Sequence, residues 1–172
     1  MKVIKGDLIA LARQGQFDVI IHGANCYNTM GGGIARTIRD TWPEAYQADC
    51  ATRKGDYKKL GTFTLAEVPN DVGGKLFVIN AYTQFRYWKD KHDDPNEPLV
   101  DYDALRKVFQ AIKSHTFSSK PAPNGFPIRK TKVRFGIPKI GAGLALGDWD
   151  TIQKIIDQEM DGEDVTLVEW EA

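Results

Sequence analysis

The chain has 172 residues, 42% of them apolar and 27% charged, with 23 basic and 23 acidic side chains and a formal net charge of zero. That size and mix suit one globular domain, residues 1–172, with a sizeable core. The charge balance argues against a general electrostatic grip on nucleic acid, no apolar run approaches the ~20 residues that span a bilayer, and the N-terminus Met1-Lys2-Val3-Ile4-Lys5 lacks the apolar core and cleavage pattern of a signal peptide.

In chain order, Val3-Ile4 reads as a short strand closed by Gly6-Asp7, and residues 8–12 as a helical turn. Val19-Ile20-Ile21 is a second, buried strand. A polar loop follows, from His22 through Asn25 to Gly31-Gly32-Gly33. It runs into a helix from Gly33 to about Asp40, because Ile34, Ile38 and Trp42 recur at helical spacing. Pro43 suits the first turn of the next helical stretch, which reaches about Arg53. Residues 62–66 alternate as a strand, residues 70–74 carry turn chemistry, and residues 76–80 form a strongly apolar strand. Leu105, Val108, Phe109 and Ile112 give 102–113 a helical period. Residues 132–135 read as a strand, Ile152, Ile155 and Ile156 as a helix, and residues 165–168 as the last strand. Two irregular segments, 84–98 and 117–129, read as loop insertions.

Alternating strands and helices predict an α/β sandwich, whose ligand site lies beyond the C-terminal strand ends. Two glycine loops fall there. Gly31-Gly32-Gly33 precedes a helix, and Ile140-Gly141-Ala142-Gly143-Leu144 has the same strand–loop–helix grammar. Glycines let backbone amides approach a ligand closely, and a helix start adds free donors, so the pair suits a diphosphate. Neither common phosphate fingerprint, the P-loop nor the Rossmann loop, is present. Cys26 and Cys50 lack metal-ligand spacing and read as free thiols of a cytoplasmic protein. With His22, His92 and His115 scattered, neither a metal site nor a cofactor is expected.

On these residues the chain resembles the macrodomains, the ADP-ribose-binding family. Gly6-Asp7-Leu8 matches the family's early Gly-Asp, Asn25 with Gly31 to Ile34 its central loop, and Pro138 to Gly143 its late loop. The resemblance implies a three-layer α/β/α sandwich around a mixed, mostly parallel sheet. It implies that Asp7 accepts from the adenine amino group, with a strand-end turn as the plain alternative. Asn25 would bind the distal ribose, and Gly31, Gly32, Gly33 and Ile34 with Ile140, Gly141, Ala142, Gly143 and Leu144 the diphosphate. Trp170 would lie against the adenine or simply close the last strand.

Two related branches are echoed. His22 to Cys26 resembles the ADP-ribose-1''-phosphate phosphatases, and Ile140 to Leu144 the terminal ADP-ribose glycohydrolases. The second branch places an Asp where Ala145 stands and a lysine near 80–83, where none occurs. The phosphatase branch implies His22 as base, or as nucleophile, with an acid among Asp90, Asp93 and Asp94; a histidine packed at the sheet end is the alternative. The expected function is therefore hydrolysis of ADP-ribose-1''-phosphate to ADP-ribose. A non-catalytic ADP-ribose reader, or a hydrolase acting on ADP-ribosylated protein, remains open beside it. Asp148 reads as a helix cap.

Overall fold

The structure, a computed structural model, describes residues 1–115, 117 and 132–171. Nearly all of the segment 117–129 lies outside the described residues.

The elements run β1 (Lys2–Gly6), α1 (Leu8–Arg13), β2 (Val19–Asn25), α2 (Gly33–Thr41), α3 (Pro43–Cys50), a short 3₁₀ turn (Tyr57–Lys59), β3 (Phe63–Pro69), β4 (Lys75–Gln84), α4 (Tyr102–Ser114), β5 (Arg134–Ile137), α5 (Trp149–Glu159) and β6 (Asp164–Trp170). The six strands form one sheet in the order β1-β6-β5-β2-β4-β3. Only β3 runs antiparallel, joined to β4 by a turn in which the Asn70 side-chain oxygen accepts the amides of Val72 and Gly74.

The strands alternate between two cores. Val19 and Ile21 of β2, with Ile79 and Ala81 of β4, face α4 and α5. Ile20 of β2, with Leu76 and Val78 of β4, faces α1, α2 and α3. A period of two on a sheet covered on both faces gives the three layers. No helix among the described residues is long and apolar enough to cross a membrane.

The central strands extend beyond their apolar runs. β2 includes His22 to Asn25, and β4 continues to Gln84, with His22 opposite Asn80 and Ala24 opposite Tyr82. Polar side chains here pair with one another in part, since His22 Nδ1 and the Thr83 hydroxyl have no partner among the described residues. The His22 ring nitrogen Nε2 lies 2.6 Å from the Asn80 side-chain oxygen, and the Asn80 amide donates to the Ala45 carbonyl and the Thr64 hydroxyl.

Candidate functional site

Strands β5, β2 and β4 end at one sheet edge, and the segments leaving them enclose a cleft of about 650 Å³. That lies within the ~300–1,000 Å³ typical of small-molecule sites. One wall is Gly23 to Asn25 and Thr29 to Ala35. The facing wall is Pro138 to Gly141 with Gly143 to Ala145. Asp49 of α3, Gln84 of β4 and Tyr87 complete it.

The two glycine loops meet across the cleft. A Cβ built on Gly32 would lie 3.2 Å from the Leu144 Cδ1 atom. α2 starts with Gly32 as its cap residue and no side chain bonded to its first turn. Its leading amides are thus left to a ligand, and the helix dipole favours an anion there. α5 is closed instead by Asp148, whose carboxylate accepts the Thr151 amide at 3.0 Å and its hydroxyl at 2.6 Å. In the second loop Gly141 has φ +73°, and a Cβ there would meet Val100 at 2.9 Å, so only glycine fits.

The first loop is held from beneath. The Asn25 side chain accepts the Tyr27 amide and donates to the Thr29 hydroxyl, both at 2.8 Å. Asn28 sits at φ +56°. Its side-chain oxygen accepts from Lys59 Nζ at 2.5 Å and from the Thr52 hydroxyl at 3.3 Å, while its carbonyl accepts the Tyr46 hydroxyl. Lys59 is itself buried, stands 3.9 Å from the Asp49 carboxylate and lies over the Tyr82 ring. Asp49 accepts the Tyr82 hydroxyl at 2.7 Å. Burial pushes the Asp49 carboxyl up, against the pull of Tyr82 and Lys59, and burial lowers Lys59. Burial also pushes the Cys26 thiol up to about 11.

Several expected site residues lie elsewhere. His22 is fully buried, points from mid-strand toward α3 and is absent from the cleft wall. Burial lowers its pKa, which holds the ring neutral. That placement is the packed-histidine alternative and not a base facing the cleft.

Asp90, Asp93 and Asp94 are also outside the cleft. Arg86 pairs with Asp90 at 3.1 Å and Asp93 at 2.7 Å, and Asp94 accepts the Asn96 amide. Asp93 and Asp94 line a separate hollow of about 170 Å³. A dense charge run here folds upon itself.

Asp7 caps α1, with Oδ1 accepting the amides of Ile9 and Ala10 at 2.8 and 3.3 Å. Gly6, Asp7, Leu8, Ala142 and Trp170 do not line the cleft, and Leu8 is buried in the core. Gly6 and Trp170 pair at the ends of β1 and β6, leaving Trp170 73% exposed.

Asn25, Gly31 to Ile34, Ile140, Gly141, Gly143 and Leu144 line the cleft. Asp49, Thr29, Gln84, Tyr87 and Lys139 join the wall beyond the residues that the sequence pattern marks. For Asp49 a signal existed, since Trp42, Ala45 and Asp49 recur at helical spacing and put a carboxylate on the buried face of α3.

A mostly parallel sheet with two glycine loops facing across its C-terminal edge defines an α/β fold built to take a phosphorylated nucleotide. No family model matches the chain. It is 33% identical over 173 residues, 99% of this chain and 97% of the relative, to an uncharacterised 17.5 kDa protein of the tk-vs intergenic region of Enterobacteria phage T4. An ADP-ribose 1''-phosphate phosphatase of Debaryomyces hansenii is 26% identical, covering 92% of this chain and 93% of its own. Among solved structures, a protein of unknown function from Bacteroides thetaiotaomicron matches with a TM-score of 0.72 at 28% identity, covering 98% of this chain and 96% of that one. The macrodomain of Mycobacterium tuberculosis DarG matches at 0.63 and 17% identity, covering 99% and 97%. Thermosipho africanus DarTG in complex with ADP-ribose matches at 0.65 and 12% identity, covering 97% of this chain and 40% of that one. The chain belongs to the macrodomain family.

Proposed function

We propose that the cleft binds ADP-ribose and that the protein hydrolyses the phosphate of ADP-ribose-1''-phosphate. The observation that carries the binding half is the pair of glycine loops facing one another across the cleft. Their amides, with the open N-terminus of α2, suit a diphosphate that has no need of a metal-like counter-charge. Asn25 keeps one amide hydrogen and part of its oxygen's capacity beyond its loop bonds, enough for a ribose hydroxyl. The adenine would extend along the strand ends toward Asp7 and Trp170. Asp7 uses only Oδ1 in its cap, and the exposed Trp170 indole offers a stacking face. The hydrolytic half is supported by relatives named ADP-ribose 1''-phosphate phosphatase.

A reader that binds ADP-ribose without chemistry is the second reading, favoured by the burial of His22 away from the cleft. Two measurements test both halves. Calorimetry should give ADP-ribose a much higher affinity than AMP; equal affinities would remove the diphosphate and distal-ribose roles. Phosphate release from ADP-ribose-1''-phosphate separates enzyme from reader.

A further inference from the structure

With His22 in the core and the three loop acids paired elsewhere, one carboxyl group remains on the cleft wall among the described residues, that of Asp49. We propose that Asp49 is the general acid of this cleft, protonating the sugar oxygen that leaves the 1''-phosphate. The inference rests on the phosphatase reading.

Its position fits the task. The cleft follows the strand ends, from the glycine loop after β5, past Asn25 of β2, to Gln84 of β4. Asp49 belongs to the β4 end, because it is bonded to Tyr82, two residues before Gln84. With the diphosphate between the glycine loops and the distal ribose at Asn25, the 1'' substituent falls at that end.

Its bonding fits as well. Oδ1 accepts the Tyr82 hydroxyl and faces Lys59, so the carboxyl plane is fixed. No hydrogen bond among the described residues reaches Oδ2, on a residue only 1% exposed that nevertheless contributes to the wall. Tyr82 and Lys59 satisfy one oxygen and leave the other to carry a proton.

Breaking the phosphorus–oxygen bond leaves an electron pair on the anomeric oxygen, a poor leaving group unless it is protonated as it departs. In the proposed step water adds to phosphorus, that bond breaks, and the Oδ2 proton passes to the anomeric oxygen. The phosphate ester dianion, water and the protonated Asp49 give the sugar hydroxyl, dihydrogen phosphate monoanion and the Asp49 carboxylate, which solvent reprotonates. The charged and titratable groups around Asp49 are Lys59 from the 3₁₀ turn, Tyr82 from β4, Cys26 beyond β2, and Tyr46 on its own helix. Burial favours the neutral acid, and a bound phosphate dianion pushes the same way.

Asp49→Asn keeps the shape and removes the proton. It should lower phosphate release by about 10²–10⁴-fold, while ADP-ribose affinity by calorimetry stays within about threefold. Tyr82→Phe withdraws a hydrogen bond that favours the carboxylate, so the high-pH fall of the wild-type rate should move upward. An Asp49→Asn protein with near wild-type turnover, a joint collapse of turnover and ADP-ribose binding, or an unmoved limb in Tyr82→Phe each overturns the role. Wild-type protein that binds ADP-ribose and releases no phosphate overturns the phosphatase reading itself, and this inference with it.

Discussion

The loops that leave β2 and β4 start from adjacent parallel strands and end at the same sheet edge, yet they are built on opposite plans. The β2 loop, 26–32, contains no Asp, Glu, Lys or Arg. It lines the cleft with glycines and is fixed from below by Thr52, Tyr46 and Lys59 through Asn28. The β4 loop, 85–98, is dense in both signs of charge; Arg86 pairs with Asp90 and Asp93, and Lys89 donates to the Asp94 backbone carbonyl. Only Tyr87 of that loop reaches the cleft wall. The lesson is physical. An anion wall needs donors that cannot be neutralised by a neighbour, and backbone amides on a fixed loop meet that need. Ionisable side chains on a solvated loop find each other first.

The largest expected effect comes where the quiet loop passes into α2. Gly33 has φ +54°, and a β-branched residue there is strained by about 1–3 kcal/mol. Relief of that strain would turn the first amides of α2 away from the cleft. Gly33→Val should therefore weaken ADP-ribose about 5–150-fold by calorimetry, with a modest drop in melting temperature. Wild-type affinity in a folded variant would show that the loop's backbone does not hold the ligand.

Next comes the strand beneath. His22→Leu removes a buried partner of Asn80 and should cost about 1–3 kcal/mol of stability, with ADP-ribose binding and phosphate release little changed. The pH dependence has a definite sign. The folded-state pKa of His22 lies below the ordinary 6.5. The unfolded chain therefore binds the extra proton first, and stability present above pH ~6.5 is lost as pH falls from there toward the folded value. The melting temperature of wild type should fall over that window more steeply than that of His22→Leu. Equal slopes, or a variant that melts normally and loses turnover, would return His22 to the site.

These cases mark how far the sequence is legible. Every helix and strand lies close to its expected place, because apolar periodicity and turn residues are local signals. The glycine loops are legible for the same reason. What the sequence hides is pairing across distance. β2 and β4 look as if they end at Ile21 and Asn80, since polar residues follow, but His22 and Asn80 pair with each other 58 positions apart and the strands continue. Likewise Asp49, Lys59 and Tyr82 come from three elements, and no local window shows that they meet. Dense charge marks the 85–98 loop, whereas the cleft's carboxylate sits on the buried face of a short helix.

The smallest expected effect concerns that dense charge directly. Replacing Asp90, Asp93 and Asp94 together by Asn removes the partners of Arg86 while keeping side-chain size. Arg86 lowers the Asp93 pKa, but the pair is partly exposed and screened. If the charges serve only the loop, ADP-ribose affinity and phosphate release should stay within about twofold of wild type. Faster proteolysis of 85–98 would be the visible consequence, because the loop loses the contacts that fold it upon itself. The contrast with the β2 loop then becomes quantitative: three charges removed from one loop do less than one methyl-bearing side chain added where the other enters α2. A triple variant that binds normally and releases no phosphate would reverse the argument. It would mean that the loop swings over the bound ligand and brings one of these acids to the 1''-phosphate, and that Asp49 is not the acid that completes the site.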